Sequence, residues 1–221
     1  MGFMAQDLTI QNTAGPAVAL LSISHFSLIS LVYRCSIEGY QDTLDADTGD
    51  QMYVETDICG TVDFVFGYAR AAFLGCRLLV RSSGFEFQNC SVTAYEGAKL
   101  TRVETFLGRQ WKEHSHVIFM ETFLGSIVNF TGWVEWNRSN GHIPDTVVYL
   151  EYANYGPGAD TSRRINTTAM RVVTDCGEAA QYTADPFVNA SAWMPKDPYA
   201  RGLIRDPACP APPTRACASK T

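Results

Sequence analysis

The chain has 221 residues, of which 46% are hydrophobic and 18% charged, a composition typical of a folded protein with one core. The formal net charge is −6, and no run of Lys and Arg offers contacts to phosphates, so a nucleic-acid partner is not expected. Residues 8–33 are uncharged, but they are interrupted by polar side chains that include Gln11, Asn12, Ser22, Ser24, His25, Ser27 and Ser30, which indicates buried strands and no membrane-spanning helix.

Short runs rich in Val, Ile, Phe and Tyr recur along the chain, separated by Gly, Asn or Asp. They predict strands at residues 7–11, 17–21, 31–37, 51–58, 71–80, 117–121, 126–130 and 146–151. Long segments with helical periodicity are absent from the sequence, which disfavours a parallel sheet connected by crossover helices. The sequence therefore predicts an all-β fold.

Two segments repeat each other: Gly-Tyr-Gln-Asp-Thr-Leu at 39–44 and Gly-Thr-Val-Asp-Phe-Val at 60–65. The offset between them, about 20 residues, is typical of one coil of a β-solenoid. In such a coil Asp42 and Asp63 would lie side by side, roughly 4.8 Å apart and facing the same way. Two carboxyl groups this close do not both ionise readily, so one is predicted to stay protonated and the other anionic. An isolated aspartate would more often be a turn residue, but the matched pair favours a catalytic site.

Cysteines and glycosylation sequences both indicate an oxidising compartment. The chain has seven cysteines, and five Asn-x-Ser/Thr acceptor sequences begin at Asn89, Asn129, Asn137, Asn166 and Asn189. A metal site is not predicted, because no Cys-x-x-Cys occurs and a pair formed by His114 and His116 has no evident third ligand. The N-terminus lacks a signal peptide, so the chain is expected to be incomplete at its front.

Three cysteine tripeptides are predicted to occupy the same strand position in different coils: Cys35-Ser36-Ile37, Cys76-Arg77-Leu78 and Cys90-Ser91-Val92. The separation of the first two is close to twice the offset of the aspartate repeat, which corresponds to two coils. The separation of the last two is too short for a whole coil, so a segment is expected to be missing or looped differently there.

The end of the chain differs in composition from the rest. Six of the ten prolines follow Met194, and apolar periodicity is weak there. Residues 1–193 are therefore predicted to form one β-helical domain, and residues 194–221 an irregular, proline-rich tail.

Other familiar motifs are unsupported. The acidic stretch at 45–50 does not match a calcium loop, since its glycine and its closing residue are misplaced. Gly156-Pro157-Gly158 lacks the third glycine of a dinucleotide loop, and no Gly-x-Ser-x-Gly occurs. No cofactor is expected.

Three blocks carry a family resemblance: the segment at 39–44, Gly-Thr-Val-Asp-Phe-Val-Phe-Gly at 60–67, and Leu-Gly-Arg-Gln-Trp-Lys-Glu at 107–113. Together they closely resemble the plant-type pectin methylesterases. Similarity continues at residues 2–16, in Gly-Trp-Val-Glu-Trp at 132–136 and in Glu-Tyr-Ala-Asn-Tyr-Gly-Pro-Gly-Ala at 151–159, and so spans the chain to about Trp193.

The resemblance implies a right-handed parallel β-helix, secreted to the cell wall, that removes methyl esters from the galacturonate units of pectin. It assigns Asp63 as the nucleophile, Asp42 as the acid/base and Gln41 as the oxyanion donor. Arg109 would hold Asp63, and Trp111 would contact the sugar. A proteinaceous pectinesterase inhibitor is a candidate partner, and the chain is expected to be a monomer.

The residue types suit these roles. An arginine offers a fixed fork of donors that can orient one carboxylate and keep it anionic. In a strand, residues 109 and 111 face the same side, and an indole can lie against the apolar face of a sugar.

The chain also departs from the family pattern. After Gly15-Pro16 it lacks the short insert that carries a second oxyanion glutamine, and between Val80 and Gln88 it lacks most of a coil that flanks the substrate cleft. Loss of one oxyanion donor typically costs about 100- to 1000-fold in turnover. Three functions therefore stay open: an active esterase, a truncated relative that keeps the two aspartates but hydrolyses slowly or not at all, and a non-enzymatic cell-wall protein that binds pectin through the old cleft.

Overall fold

The computed structural model describes residues 2–13, 29–80, 87–97, 104–110, 113–136 and 142–194. Sixteen short strands occur in these ranges: β1 Phe3–Gln6, β2 Thr9–Gln11, β3 Ile29–Tyr33, β4 Ser36–Glu38, β5 Leu44–Asp45, β6 Asp50–Val54, β7 Asp57–Gly60, β8 Val65–Phe66, β9 Arg70–Leu74, β10 Arg77–Val80, β11 Phe87–Gln88, β12 Ser91–Ala94, β13 His116–Met120, β14 Phe123–Leu124, β15 Val148–Tyr152 and β16 Met170–Val173. The helices are α1 Cys176–Ala179, α2 Ala184–Val188 and α3 Ala190–Trp193, with a 3₁₀ turn at Ala180–Tyr182.

The strands form three sheets, and successive coils add one strand to a sheet. Sheet A has the order β1-β3-β6-β9-β11-β13-β15-β16, sheet B the order β14-β12-β10-β7-β4-β2, and sheet C consists of β5 and β8. Every pairing between these strands is parallel. The chain therefore winds as a right-handed parallel β-helix, and the predicted fold class is confirmed.

A single left-handed residue turns the chain from sheet A to sheet B in each coil. Positive φ angles recur at this corner in Asp7, Arg34, Glu55, Gly75, Asn89, Glu121 and Ala153. In the first six of these residues, the backbone amide donates a hydrogen bond to a carbonyl of the next coil. That carbonyl belongs to the residue just before the left-handed residue of the next coil. Runs predicted as single strands at 31–37, 51–58 and 71–80 are therefore wrong in detail, because each contains this corner and two strands.

Aromatic rings stack from coil to coil inside the solenoid. The ring centroids of Tyr53 and Phe73 lie 4.6 Å apart, and those of Phe73 and Phe87 4.8 Å apart. The series continues through Phe119 to Trp133, and all five side chains are buried. The parallel register of sheet A places the first four of these rings one above another, so each coil supports the next.

The predicted alignment of the cysteine tripeptides is confirmed. Ser36 pairs with Asp57, Asp57 with Arg77, and Arg77 with Ser91, so the cysteine before each serine or arginine occupies an equivalent position. The prediction that the separation of Cys76 and Cys90 is too short for a whole coil was therefore wrong, since the strands on both sides pair as neighbouring coils; residues 81–86 lie outside the described ranges. Cys35, Cys76 and Cys90 are buried thiols, whereas Cys176 is disulfide-bonded.

The outer face of sheet A is apolar and is covered by the C-terminal helices. Side chains of β3, β6 and β9 pack against α2 and α3 in one cluster, which includes Met52, Leu74 and Val188. A second cluster joins β13, β15 and β16 to α1. These strands thus bury both faces of the sheet, which explains their nearly continuous hydrophobic runs, whereas Met4 in the terminal strand β1 is 53% exposed.

Some predictions were wrong, and others concern residues outside the described ranges. The predicted strand at 126–130 is a turn in which Val128 alone forms an isolated bridge. The predicted strand at 17–21, the position of the missing glutamine after Pro16 and the tail from residue 195 lie outside the described residues. In the described part of the chain, no helix has the length and apolarity needed to cross a membrane.

Candidate active site

Asp42 and Asp63 lie at the same position of two neighbouring coils, just before the strands of sheet C. Leu44 pairs with Val65, and the Asp42 amide donates to the Val62 carbonyl at 3.0 Å. The register predicted from the repeat is therefore confirmed. Both aspartates have left-handed backbones, with φ of 53° and 46°, and both are half-buried.

The glycine three residues before each aspartate allows the chain to turn tightly. A Cβ atom on Gly60 would lie 2.2 Å from the Phe64 Cβ and 2.5 Å from the Thr43 Oγ1. Any side chain there would push the buried Phe64 and Thr43 away. In each Gly-x-x-Asp segment the aspartate therefore lies at the surface. The next residue, Thr43 or Phe64, is buried and packs the turn against the core.

Arg109 binds the carboxylate of Asp63 with two hydrogen bonds. Its Nη2 lies 2.5 Å from Oδ2 and its Nε lies 3.2 Å from Oδ1. The two side chains are 35% and 26% exposed, so the pair is partly shielded from water. Charge-assisted, two-point contacts of this kind fix the orientation of a carboxylate.

Asp42 has a different environment, although it lies beside Asp63. Partial burial raises the pKa of the Asp42 carboxyl above its ordinary value, and the charge of Asp63 raises it further. A hydrogen bond from the Gln41 side chain lowers this pKa in part. The two carboxyls are therefore unequal: one is held by an arginine, and the other is biased toward its protonated form.

The remaining predicted residues are only partly described. Gln41 is exposed at the edge of the site, where its amide contacts Asp42. Trp111 lies outside the described residues. Gln110, between Arg109 and Trp111 in the motif, is buried and accepts a hydrogen bond from the Tyr149 hydroxyl, whereas the Arg109 side chain is 35% exposed.

Sequence reasoning missed the contact of Trp136 with Arg109 and noted this tryptophan only as part of a family block. The indole ring lies 4.1 Å from the Arg109 guanidinium carbon, within the range of a cation–π contact. The only sequence signal was its position shortly after Trp133, which is buried. Nothing in a linear sequence relates residue 136 to residue 109.

A buried ion pair supports this region from inside the solenoid. Arg164 Nε lies 2.7 Å from Glu151 Oε1, and both side chains are almost fully buried. Trp133 donates its indole N–H to the same carboxylate, and Arg164 donates to the Gly158 carbonyl. Each charge is thereby satisfied, as a buried pair requires.

Within the described ranges, no three His, Cys, Asp or Glu side chains are arranged to hold a metal ion. The described part of the site contains two unequal carboxyls, one guanidinium, one primary amide and an aromatic ring. Such a set can attack a carbonyl carbon, stabilise an oxyanion and protonate a leaving group.

Comparison with known protein families gives a consistent result along the chain. The sequence model of the family described as Pectinesterase matches residues 1–94 and 80–191. Pectinesterase 2 of Citrus sinensis is 40% identical over 228 residues, covering 91% of this chain and 44% of that protein. Pectinesterase/pectinesterase inhibitor PPE8B of Prunus persica is 37% identical, covering 88% of this chain and 41% of that protein. The chain thus spans less than half the length of these relatives.

Solved structures show the same similarity. The pectin methylesterase from carrot superposes with a TM-score of 0.77 at 29% identity, covering 87% of this chain and 69% of that one. The pectin methylesterase from Aspergillus niger superposes with a TM-score of 0.65 at 28% identity, covering 85% and 64% of the two chains.

Proposed function

Because this chain belongs to the pectinesterase family, we propose that it hydrolyses the methyl esters of galacturonate units in pectin. One observation carries the proposal: of two aspartates one coil apart, Asp63 is held by an arginine, and no described arginine pairs with Asp42. That asymmetry supports Asp63 as the nucleophile and Asp42 as the acid/base. The relatives' names supply the substrate class, and the geometry supports the roles.

The reaction begins with attack of an Asp63 carboxylate oxygen on the ester carbonyl carbon. The carbonyl oxygen becomes an oxyanion, which the exposed amide of Gln41 stabilises by donating a hydrogen bond. Collapse of this intermediate breaks the bond to the methoxy oxygen, and Asp42 donates the proton with which methanol leaves. An acyl anhydride now joins Asp63 to the galacturonate.

Hydrolysis of the anhydride reverses these roles. Asp42, now anionic, removes a proton from water, and the resulting hydroxide attacks the galacturonate acyl carbon. The bond to Asp63 breaks, which releases the galacturonate acid and restores the carboxylate bound by Arg109. Asp42 is again protonated, consistent with its raised pKa.

We place this activity in the cell wall. A disulfide at Cys176 and exposed acceptor asparagines at Asn89, Asn166 and Asn189 support a secreted, glycosylated protein. Pectin is the proposed partner, and a protein inhibitor is a further candidate, because several relatives carry both activities in their names.

Methanol release from highly methylated pectin tests the proposal. Asp63→Asn, which preserves shape but removes the nucleophile, should lower turnover by ~10³-fold or more while pectin binding persists. Asp57→Asn is the matched control, because Asp57 is also paired with an arginine but lies outside the site; it should leave turnover unchanged.

Two results would contradict the proposal. Equal turnover in the native chain and in Asp63→Asn would disprove the role of Asp63. Pectin binding by the native chain without any methanol release would identify the impaired, pectin-binding relative instead.

A further inference from the structure

Trp136 covers the face of the guanidinium group that holds Asp63. The Arg109 guanidinium carbon lies 4.1 Å from the centroid of the indole ring. At the same time its Nε and Nη2 bond to the two carboxylate oxygens of Asp63. One arginine thus joins an aromatic ring and an aspartate.

The two contacts use different parts of the guanidinium and do not compete. A guanidinium donates hydrogen bonds in the plane of the group, whereas an aromatic ring packs against its flat face. An arginine held only by its edge can still rotate about its long side chain, since Arg109 is 35% exposed. A ring against the face restricts that rotation and excludes water from one side.

The backbone holds Trp136 in a fixed relation to Arg109. Gly108 and Trp133 form a parallel bridge, and the Val134 amide donates to the Gly108 carbonyl at 3.2 Å. Trp133 is itself anchored in the core, stacked on Tyr149 with ring centroids 4.3 Å apart. The short segment that carries the indole is therefore attached to the segment that carries the arginine.

We propose that Trp136 is a positioning residue, which acts through Arg109 to keep the Asp63 carboxylate in its reactive orientation. The consequence for catalysis rests on the proposed function, but the physical claim about Arg109 does not. The competing role for an exposed tryptophan near this site is direct contact with a sugar, which would act on substrate binding and leave Arg109 unaffected.

The Arg109 side-chain Nε–H signal in ¹⁵N-arginine-labelled protein tests the claim without any turnover. Arg109→Lys identifies the signal by removing it. Trp136→Ala should abolish its ring-current shift and accelerate its exchange with water by about 10-fold, whereas Trp136→Phe should retain part of both effects. Phe130→Ala is the matched control, because this ring covers Arg163 at 4.2 Å outside the site; it should leave the Arg109 signal unchanged.

A kinetic double-mutant cycle tests the consequence for the reaction. Trp136→Ala should lower kcat by about 3- to 10-fold when Arg109 is present, and by less than about 2-fold in Arg109→Ala. An unchanged Arg109 signal in Trp136→Ala would overturn the inference whether or not the chain is active. A raised KM with kcat unchanged in both backgrounds would also overturn it and would assign the ring to sugar contact. Failure of the proposed function would appear separately, as absent turnover in the native chain.

Discussion

At the scale of single residues, the site depends on two aspartates that share a backbone conformation but differ in their neighbours. Asp63 is bound by Arg109, whereas Asp42 is partly buried with the Gln41 amide against it. Partial burial raises the pKa of Asp42, so the folded protein disfavours the ionised form of this side chain. Ionised Asp42 is therefore less stable in the folded protein than in the unfolded chain, which reduces stability at this position.

The sign of this effect gives a pH-dependent prediction. A raised pKa in the fold means that stability is fully present while Asp42 is protonated and is lost as the pH rises through the folded-state pKa. Asp42→Asn should therefore raise the unfolding temperature at pH 7, and this gain should shrink as the pH falls toward about 4. Thermal unfolding monitored at both pH values measures it.

The control for this prediction is Asp57→Asn, which breaks the surface pair with Arg77 and should not stabilise the protein at pH 7. A gain in Asp42→Asn that is the same at both pH values would show that the ionisation of Asp42 is not its cause.

At the scale of single elements, the sheet A to sheet B corner is the unit that the chain repeats. Its left-handed residue is a glycine in only one of the seven described coils, and Ala153 occupies it with φ 48°. A left-handed conformation costs a residue with a Cβ atom roughly 1–2 kcal/mol. The corner geometry is imposed by the strands on either side, which override the local preference.

Ala153→Gly should therefore stabilise the protein. Relief of left-handed strain exceeds the added flexibility of the unfolded chain, which leaves a gain of ~0.5–1 kcal/mol, or ~1–4 °C in a chain of this size. Ala94→Gly is the control: Ala94 is also exposed but lies within strand β12, where glycine should destabilise. Thermal unfolding of both variants measures the difference, and a loss in Ala153→Gly would contradict the strain argument.

At the scale of the whole molecule, the C-terminal helices determine whether sheet A is covered. The outer face of this sheet is apolar, and its strands β3, β6 and β9 pack against α2 and α3. Val188 at the end of α2 is fully buried in this contact. The helices are only five and four residues long, so their stability comes from packing and not from helix propensity.

A charge beneath α2 should detach the helices. Val188→Asp should lower the unfolding temperature by ~6 °C or more and should increase binding of a hydrophobic dye such as ANS, because the apolar face of sheet A becomes exposed. Val172→Asp is the control, since Val172 in β16 is 46% exposed and should tolerate the charge. Equal effects of the two substitutions would show that the helices contribute little to stability.

The repeat, the solenoid and the pairing of Asp42 with Asp63 followed from the sequence by itself. All three depend on a sequence repeat of about one coil in length. Where the strand register is regular, residues one repeat apart lie side by side in neighbouring coils. The corner residues could not be recognised, because the left-handed position holds Asp, Arg, Glu, Gly, Asn and Ala in different coils. The residue type at the corner does not indicate its left-handed conformation, because the neighbouring strands impose that conformation.

The groups that surround the aspartates could not be derived from residue spacing and depend on the tertiary structure. Family resemblance implied the contact of Arg109 with Asp63, but no spacing in the chain predicts it. The contact of Arg109 with Trp136 joins segments related only through the Gly108–Trp133 bridge. The covered outer face of sheet A likewise depends on helices far along the chain from β3, β6 and β9. Such contacts depend on irregular loops, which determine the segments that come together outside the repeating strands. The length of a loop does not predict the position at which the chain re-enters a sheet.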